Sequence, residues 1–360
     1  MTKYKSLLLR EKEEELQNDL LIRTIKGDKT SRRPVWLMRQ AGRILPQYRA
    51  VRATTGGFKD LLKNPALACE VTIQPVDELG VDAAIIFSDI LVICEAMNLT
   101  YDMVPTKGPV FPKVITSRAD VEQLRVADGV DDIGYTIEAI KLTKQALNGR
   151  VPLIGFSGCP WTLFSYMIEG QGSKTFSKAK KMLYAQPEVS HLLLQKITDS
   201  IINYVKAQIE AGVNVVQLFD SWAGVLTPSQ YNTFAFSYTK QICDALQDSG
   251  VPITVFAKGA YHALTKLSDL NCDTIGLDWT IPRAYARGII GNKKAVQGNL
   301  DPCFLYADRA AIKQETIKMI NDFGNGRHIV NLGHGVYPDT PLDNVKCFVD
   351  TVKNYEIKYS

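Results

Sequence analysis

Eight short apolar runs recur along this chain of 360 residues, each bounded by Gly, Pro, Asp or Ser and each followed by a longer stretch that can be helical. They are Val35–Arg39, Ala83–Phe87, Pro152–Phe156, Val213–Phe219, Pro252–Ala257, Thr274–Asp278, Lys294–Gly298 and His328–Leu332. Runs this short read as strands buried on both faces. The clearest helices are expected over Asp131–Leu147, Glu188–Ala211, Ser229–Gln247, Ala307–Asn321 and Asp343–Tyr355, with Thr227 capping and Pro228 in the first turn of one of them. Eight strand–helix units predict an α/β fold of the (β/α)8, TIM-barrel kind. A doubly wound sheet would offer a Gly-rich phosphate loop, and neither GxGxxG nor GxxxxGK[ST] occurs. The segment Leu99–Ile115 predicts a hairpin excursion after the second strand. Residues 1–22 read as a charged helical extension and 23–360 as a single barrel domain.

The remaining composition narrows the function. The longest uninterrupted apolar runs, such as Ala83–Phe87 and Ile90–Cys94, are five residues long, so no membrane span is predicted. The charged run Arg10–Glu15 follows Leu7–Leu9 at once, leaving no signal-peptide core, and a cytoplasmic protein is expected. Seven scattered cysteines without CxxC predict reduced core thiols, with a free thiol nucleophile as the alternative. The four histidines, 191, 262, 328 and 334, lie at no metal-ligand spacing, so no metal is expected. GxSxG is absent as well. Charge is the exception. Between Arg23 and Arg52 stand nine Lys or Arg against one acid, Asp28, a net +8 in a chain of net +4. That concentration predicts an anionic partner. Without interleaved aromatics or a DNA- or RNA-binding motif, a small polyanion fits better than nucleic acid.

In a (β/α)8 barrel, chemistry lies beyond the C-terminal ends of the strands. Those positions are Arg39–Arg43, Ser88 and Asp89, Ser157–Trp161, Asp220 and Ser221, Lys258, Asp278, Asn299–Asp301 and Gly333–Gly335, and polar residues and glycines collect there.

Within that set, Pro34-Val35-Trp36-Leu37-Met38-Arg39-Gln40-Ala41-Gly42-Arg43 resembles the PxWxMRQAGR signature of the uroporphyrinogen decarboxylase family. The block Gly155 to Gly170 (GFSGCPWTLFSYMIEG) is similar to that family's second signature. Shorter matches follow in order at Phe87–Leu91, Phe219–Gly224 and Asn331–Gly335. Together they span about residue 30 to 345. The resemblance implies a cofactor-free decarboxylase of haem biosynthesis on a (β/α)8 barrel, usually a homodimer. Its substrate, uroporphyrinogen III, carries eight carboxylates, and loss of carbon dioxide from four acetate arms leaves the methyls of coproporphyrinogen III. The +8 segment would then have a polyanion to meet.

By the same resemblance Asp89 and Arg39 are catalytic, and Arg39, Gln40, Ala41, Gly42, Arg43, Asp89, Tyr166, Ser221 and His334 bind substrate. The residue types suit those roles. The departing electrons need a sink, and a pyrrole protonated at a ring carbon supplies one. A carboxylate at Asp89 would stabilise that cation and accept pyrrole N–H groups; a helix cap at Ile90 is its alternative role. Arginine gives bidentate, permanently charged recognition of carboxylates. Backbone N–H groups of Gln40 and Ala41 would face the acidic arms, and Arg52 is a further candidate contact. Trp36 and Trp161 read as packing residues, and Phe219 as core. Tyr166, His334, Arg39, water or a substrate carboxylic acid could each supply the proton, and the sequence does not choose between them. Ile44 and Gln47 depart from the family pattern, where an aromatic and Glu are common. Two rivals differ in chemistry. Corrinoid or thiol methyltransferases of related fold bind zinc through His and Cys, and the His-x-Cys pair is absent here. A tetrapyrrole carrier would need the arginines but not Asp89.

Overall fold

A computed structural model describes residues 15–357. Seven parallel strands stand side by side in chain order: β1 (Ala84–Ile85), β4 (Leu153–Gly158), β5 (Val215–Asp220), β6 (Ile253–Ala257), β7 (Thr274–Gly276), β8 (Ala295–Leu300) and β9 (His328–Leu332). Every neighbour pair is parallel and in register, for example Ile154 with Val215 and Val296 with His328. Helices follow the strands, the longest over Pro187–Glu210. An antiparallel pair, β2 (Asp102–Val104) and β3 (Gly108–Val110), projects from the connection after β1.

The eighth barrel position is occupied by the first apolar run, but not as a full strand. Val35 forms a single parallel bridge to Val330 of β9, with the Trp36 amide donating to the Val330 carbonyl at 3.3 Å. On the other side the Asp82 amide donates to the Val35 carbonyl at 2.8 Å. Beyond that point side chains replace the ladder. The Val35 amide donates to Asp82, the Leu37 amide to Gln40 Oε1 at 3.0 Å, and the Met38 amide to Asn331 Oδ1 at 3.2 Å. The predicted strand Val35–Arg39 is thus in the right place but fails as a ladder. Arg39 itself turns to φ 62°, a left-handed conformation that takes the chain off the barrel.

The predicted helix Ser229–Gln247 is not continuous either. Thr227 and Gln230 form a reciprocal capping box with Pro228 in the first turn, and π-helical turns over Asn232–Phe236 then interrupt the helix before it resumes over Ser237–Leu246. The N-terminal extension expected over residues 1–22 lies mostly outside the described residues. The helix Leu20–Lys26 crosses its boundary and buries Leu21 and Ile25.

A polar line crosses the barrel interior below the rim. Trp36 Nε1 donates to Gln297 Oε1 at 3.0 Å, and Gln297 Nε2 donates to Gln217 Oε1 at 3.1 Å. Trp36 and Trp161 are fully buried, as packing residues should be, and Trp161 Nε1 donates to the Trp222 carbonyl. Phe219 packs edge-on against Phe156 and Phe256, one ring from each of three successive strands.

Candidate active site

Arg39 is placed by its neighbours. Gln40 is fully buried, accepts from the Leu37 amide and donates from Nε2 to the Ala83 carbonyl at 3.0 Å, so it ties the first barrel segment to β1. Its own amide donates to the Leu37 carbonyl. The expectation that the Gln40 N–H faces a substrate arm is therefore corrected: barrel closure uses both its amide and its side chain. The amides of Ala41 and Gly42 donate to no described acceptor. The Arg39 side chain lies along Gly335, where a Cβ would come within 2.4 Å of Arg39 Cδ, so only glycine leaves that path open. Gly333 is constrained in the same loop, because a Cβ there would sit 2.3 Å from the Trp279 backbone nitrogen.

Asp89 follows β1 and is half-buried at the same rim. Its Oδ1 accepts from the Leu91 amide at 2.9 Å. The alternative role, capping a helix that starts at Ile90, is corrected: the helix begins at Val92 with Leu91 as its N-cap and no side-chain cap, so Asp89 closes a local turn ahead of it, with one oxygen. The hydroxyl of Tyr101, fully buried and without a hydrogen-bond partner among the described residues, lies close enough to the carboxylate to favour its charged form. Lys59 backs this pair, donating to the Tyr101 carbonyl at 2.8 Å and to Glu95 at 3.0 Å. Burial raises the Asp89 carboxyl above its ordinary range, while the Leu91 amide, Arg39, Tyr101 and Lys59 oppose that rise.

Tyr166, half-buried on the helix Pro160–Glu169, completes a triangle with these two: its hydroxyl feels both Asp89 and Arg39, and burial keeps it protonated. Its ring meets Trp222 edge-on at 6.2 Å. Ser221 stands between Asp220 and Trp222 on the same rim, half-exposed. His334 is drawn down to about 3 by burial and by the charges of Arg39 and Lys258, so its imidazole is neutral at physiological pH. That argues against the free site's His334 as a ready proton source. Beneath the rim, burial lifts Asp220 to about 7, with Thr162 Oγ1 donating to one of its oxygens at 2.7 Å.

The basic segment does not act as one field, which corrects the sequence reading. Its residues flank the first barrel position, and the two ends of that position lie at opposite faces. Arg32 precedes it and makes a bidentate contact to Asp82 at 2.7 Å through both nitrogens, while Arg33 is buried and donates to the Gly324 carbonyl. Only Arg39 and the residues after it reach the rim. Arg39 and Arg43 are exposed and make no side-chain hydrogen bond or ion pair with another described residue. Arg52 lies in the last turn of the helix Pro46–Ala53 and donates to Thr55, and nothing brings it against Arg39.

Lys59, Tyr101, Trp222, Trp279 and Lys258 were not singled out as functional from sequence. Of these, Lys258 carried a signal in its position at a strand end, and Trp222 in lying within the Phe219–Gly224 match. All seven cysteines are free, but Cys303 is exposed, so the all-core expectation is corrected there. Burial pushes the thiols of Cys94, Cys159, Cys243 and Cys272 up, away from nucleophilic thiolates. Among the described residues, no group of three or more His, Cys, Asp or Glu is placed to hold a metal ion, and no helix is long and apolar enough to cross a membrane.

Comparison with known proteins bears on the fold and on the family. In the fold, the chain is similar to a methyltransferase from Methanosarcina mazei, with a TM-score of 0.78 at 20% identity over 94% of this chain and 99% of that one. A B12-independent methionine synthase from Shewanella sp. W3-18-1 follows at a TM-score of 0.56, 12% identity and coverage of 82% and 89%. At such identities the likeness concerns the fold alone. In sequence, the chain is 49% identical to the uroporphyrinogen decarboxylase of Chlorobaculum parvum over 96% of this chain and 99% of that protein. It is 47% identical to that of Christiangramia forsetii, over 95% and 99%. The family model "Uroporphyrinogen decarboxylase (URO-D)" matches residues 16–355. With a barrel rim that gathers Arg39, Asp89 and Tyr166, and with relatives near half-identity over almost its whole length, the chain belongs to the uroporphyrinogen decarboxylase family.

Proposed function

We propose that the protein is a carboxy-lyase that converts uroporphyrinogen III to coproporphyrinogen III by removing its four acetate carboxyl groups, without a cofactor. The observation that carries this reading is a half-buried carboxylate, Asp89, that feels the charge of Arg39, an exposed cation whose side chain makes no hydrogen bond or ion pair among the described residues. The substrate complements both: pyrrole N–H groups meet Asp89, and carboxylate arms meet Arg39, Arg43 and the amides of Ala41 and Gly42. Tyr166, Ser221 and neutral His334 add hydrogen bonds to the arms, and Gln40 contributes by holding Arg39 in place.

At each arm a ring carbon is protonated, giving an iminium-like cation that Asp89 stabilises. The bond from methylene to carboxylate then breaks, and its electron pair enters the ring as carbon dioxide leaves. A proton reaches the methylene carbon and the ring proton departs, so the net change replaces carbon dioxide by one proton. The family resemblance further supports a cytoplasmic homodimer.

Anaerobic incubation with enzymatically generated uroporphyrinogen III, with EDTA and no added cofactor, tests the reading. Products oxidised and separated by carboxyl number should step through seven, six and five to four. Unchanged eight-carboxyl substrate would sink it.

A further inference from the structure

Lys258 follows β6 on the rim and has no role in the reaction just described. Its main chain is fixed on both sides: its amide donates to the Asp220 carbonyl at 3.0 Å, and its carbonyl accepts from the Gly224 amide at 2.9 Å. Its side chain is half-buried between two indoles, with Nζ 5.9 Å from the Trp222 ring centroid and 5.5 Å from that of Trp279. No hydrogen bond or ion pair joins Nζ to any described residue. Asp278, whose charge favours the ammonium, is already occupied, accepting from the Gly259 amide at 2.6 Å and from the Thr280 amide at 2.8 Å. Burial draws the ammonium below its ordinary value; the charge of Asp278 opposes that fall and the positive charge of Arg39 adds to it, and Lys258 in turn depresses His334.

An ammonium withdrawn from water costs stability unless an anion or acceptor meets it. Two aromatic faces compensate only in part, because cation–π attraction does not replace hydrogen bonds to three N–H donors. The charge of Asp278 eases this cost, but its carboxylate makes no hydrogen bond or ion pair to Nζ, and the charge of Arg39 works against the ammonium. That arrangement is intelligible when an anion arrives from outside.

We propose that Lys258 is a second carboxylate-binding pole of the site, taking a substrate carboxylate other than the one held by Arg39, with Trp222 and Trp279 fixing its position. This rests on the decarboxylase reading for the identity of the ligand, a tetrapyrrole polycarboxylate. The two can fail separately.

The test compares wild type, Lys258→Gln and Lys258→Arg in two measurements: anaerobic binding of uroporphyrinogen III, followed by quenching of tryptophan fluorescence, and its turnover. Lys258→Gln should weaken binding and raise KM roughly 10- to 100-fold, the range of a lost charge-assisted hydrogen bond. Lys258→Arg should recover most of that loss. Lys258→Gln should melt no lower than wild type, since it removes a half-buried charge that no hydrogen bond or ion pair to a described residue satisfies. Binding by Lys258→Gln within twofold of wild type would overturn the proposal. So would a lower melting temperature together with binding that Lys258→Arg leaves unrestored, because the lysine would then be a spacer between the indoles. Wild type that binds without turning over would sink the decarboxylase reading and leave the Lys258 comparison intact, and wild type that does not bind would sink both.

Discussion

Gln40→Met isolates the way this barrel closes. Methionine matches the length of glutamine but offers neither amide atom, so the Leu37 amide and the Ala83 carbonyl lose their partner in a site with no water access. Each buried main-chain group left unsatisfied costs about 1–3 kcal/mol, or about 2–6 kcal/mol together. For a chain of 360 residues, an unfolding entropy of about 2.1 cal/mol/K per residue converts this to a fall in Tm of roughly 3–8 °C. Because the turn that loosens carries Arg39, kcat/KM should fall with it. Scanning calorimetry and the anaerobic assay read the two effects. Gln40→Glu provides an internal check: a carboxylate accepts from the Leu37 amide but cannot donate to Ala83, whereas the protonated acid does both. Burial raises the pKa of such a group, so the folded state takes up its proton first, and the deficit relative to wild type should narrow as pH falls. Gln40→Met melting within about 1 °C of wild type with unchanged kcat/KM would refute the closure argument.

Asp89→Asn should lower turnover by at least about 100-fold while raising Tm at pH 7. The folded carboxyl is raised, so its ionised form costs stability above that pKa, and the gain in Asp89→Asn should shrink as pH falls from the raised folded value and vanish below the ordinary carboxylate range of the unfolded chain; a variant keeping a tenth of wild-type turnover would contradict the assigned role. His334 and His328, both drawn down to about 3 mainly by burial, should show no NMR titration between about pH 5 and 8. The unfolded chain takes up those protons near pH 6.5 while the folded state refuses them, so they remove stability as pH falls from about 6.5 towards 3, and an imidazole midpoint near 6.5 in the folded protein would refute the assignment.

Much of the architecture was legible in the chain. His328–Leu332 is a strand from its first predicted residue to its last, and the Thr227–Pro228 start is a capped helix start. Apolar runs and cap residues report burial and backbone conformation, which neighbouring residues largely set. The first strand was legible only as a position. Its apolar pattern shows that Val35–Met38 is buried, but only the Trp36 amide meets a neighbouring strand's carbonyl, those of Val35, Leu37 and Met38 going to Asp82, Gln40 and Asn331, and no periodicity announces a side chain standing in for a ladder. The helix Ser229–Gln247 kept its amphipathic pattern across π-helical turns, because a local change in winding leaves the average spacing almost intact.

The sequence by itself determined the order of the barrel elements, the signature that places the arginines at a strand's end, and Asp89 at the next. Those depend on residue type and short spacings. Only the tertiary structure decided which charges share a face. It divided the basic segment, committing Arg32 to Asp82 below and leaving Arg39 at the rim with no hydrogen bond or ion pair from its side chain among the described residues. It also set Tyr101 and Lys59 behind Asp89, brought Lys258 up between two tryptophans, and turned His334 neutral. The physical reason is that electrostatic energy depends on distance and burial in three dimensions. Groups dozens to hundreds of residues apart in the chain set one another's charge only after the barrel has closed.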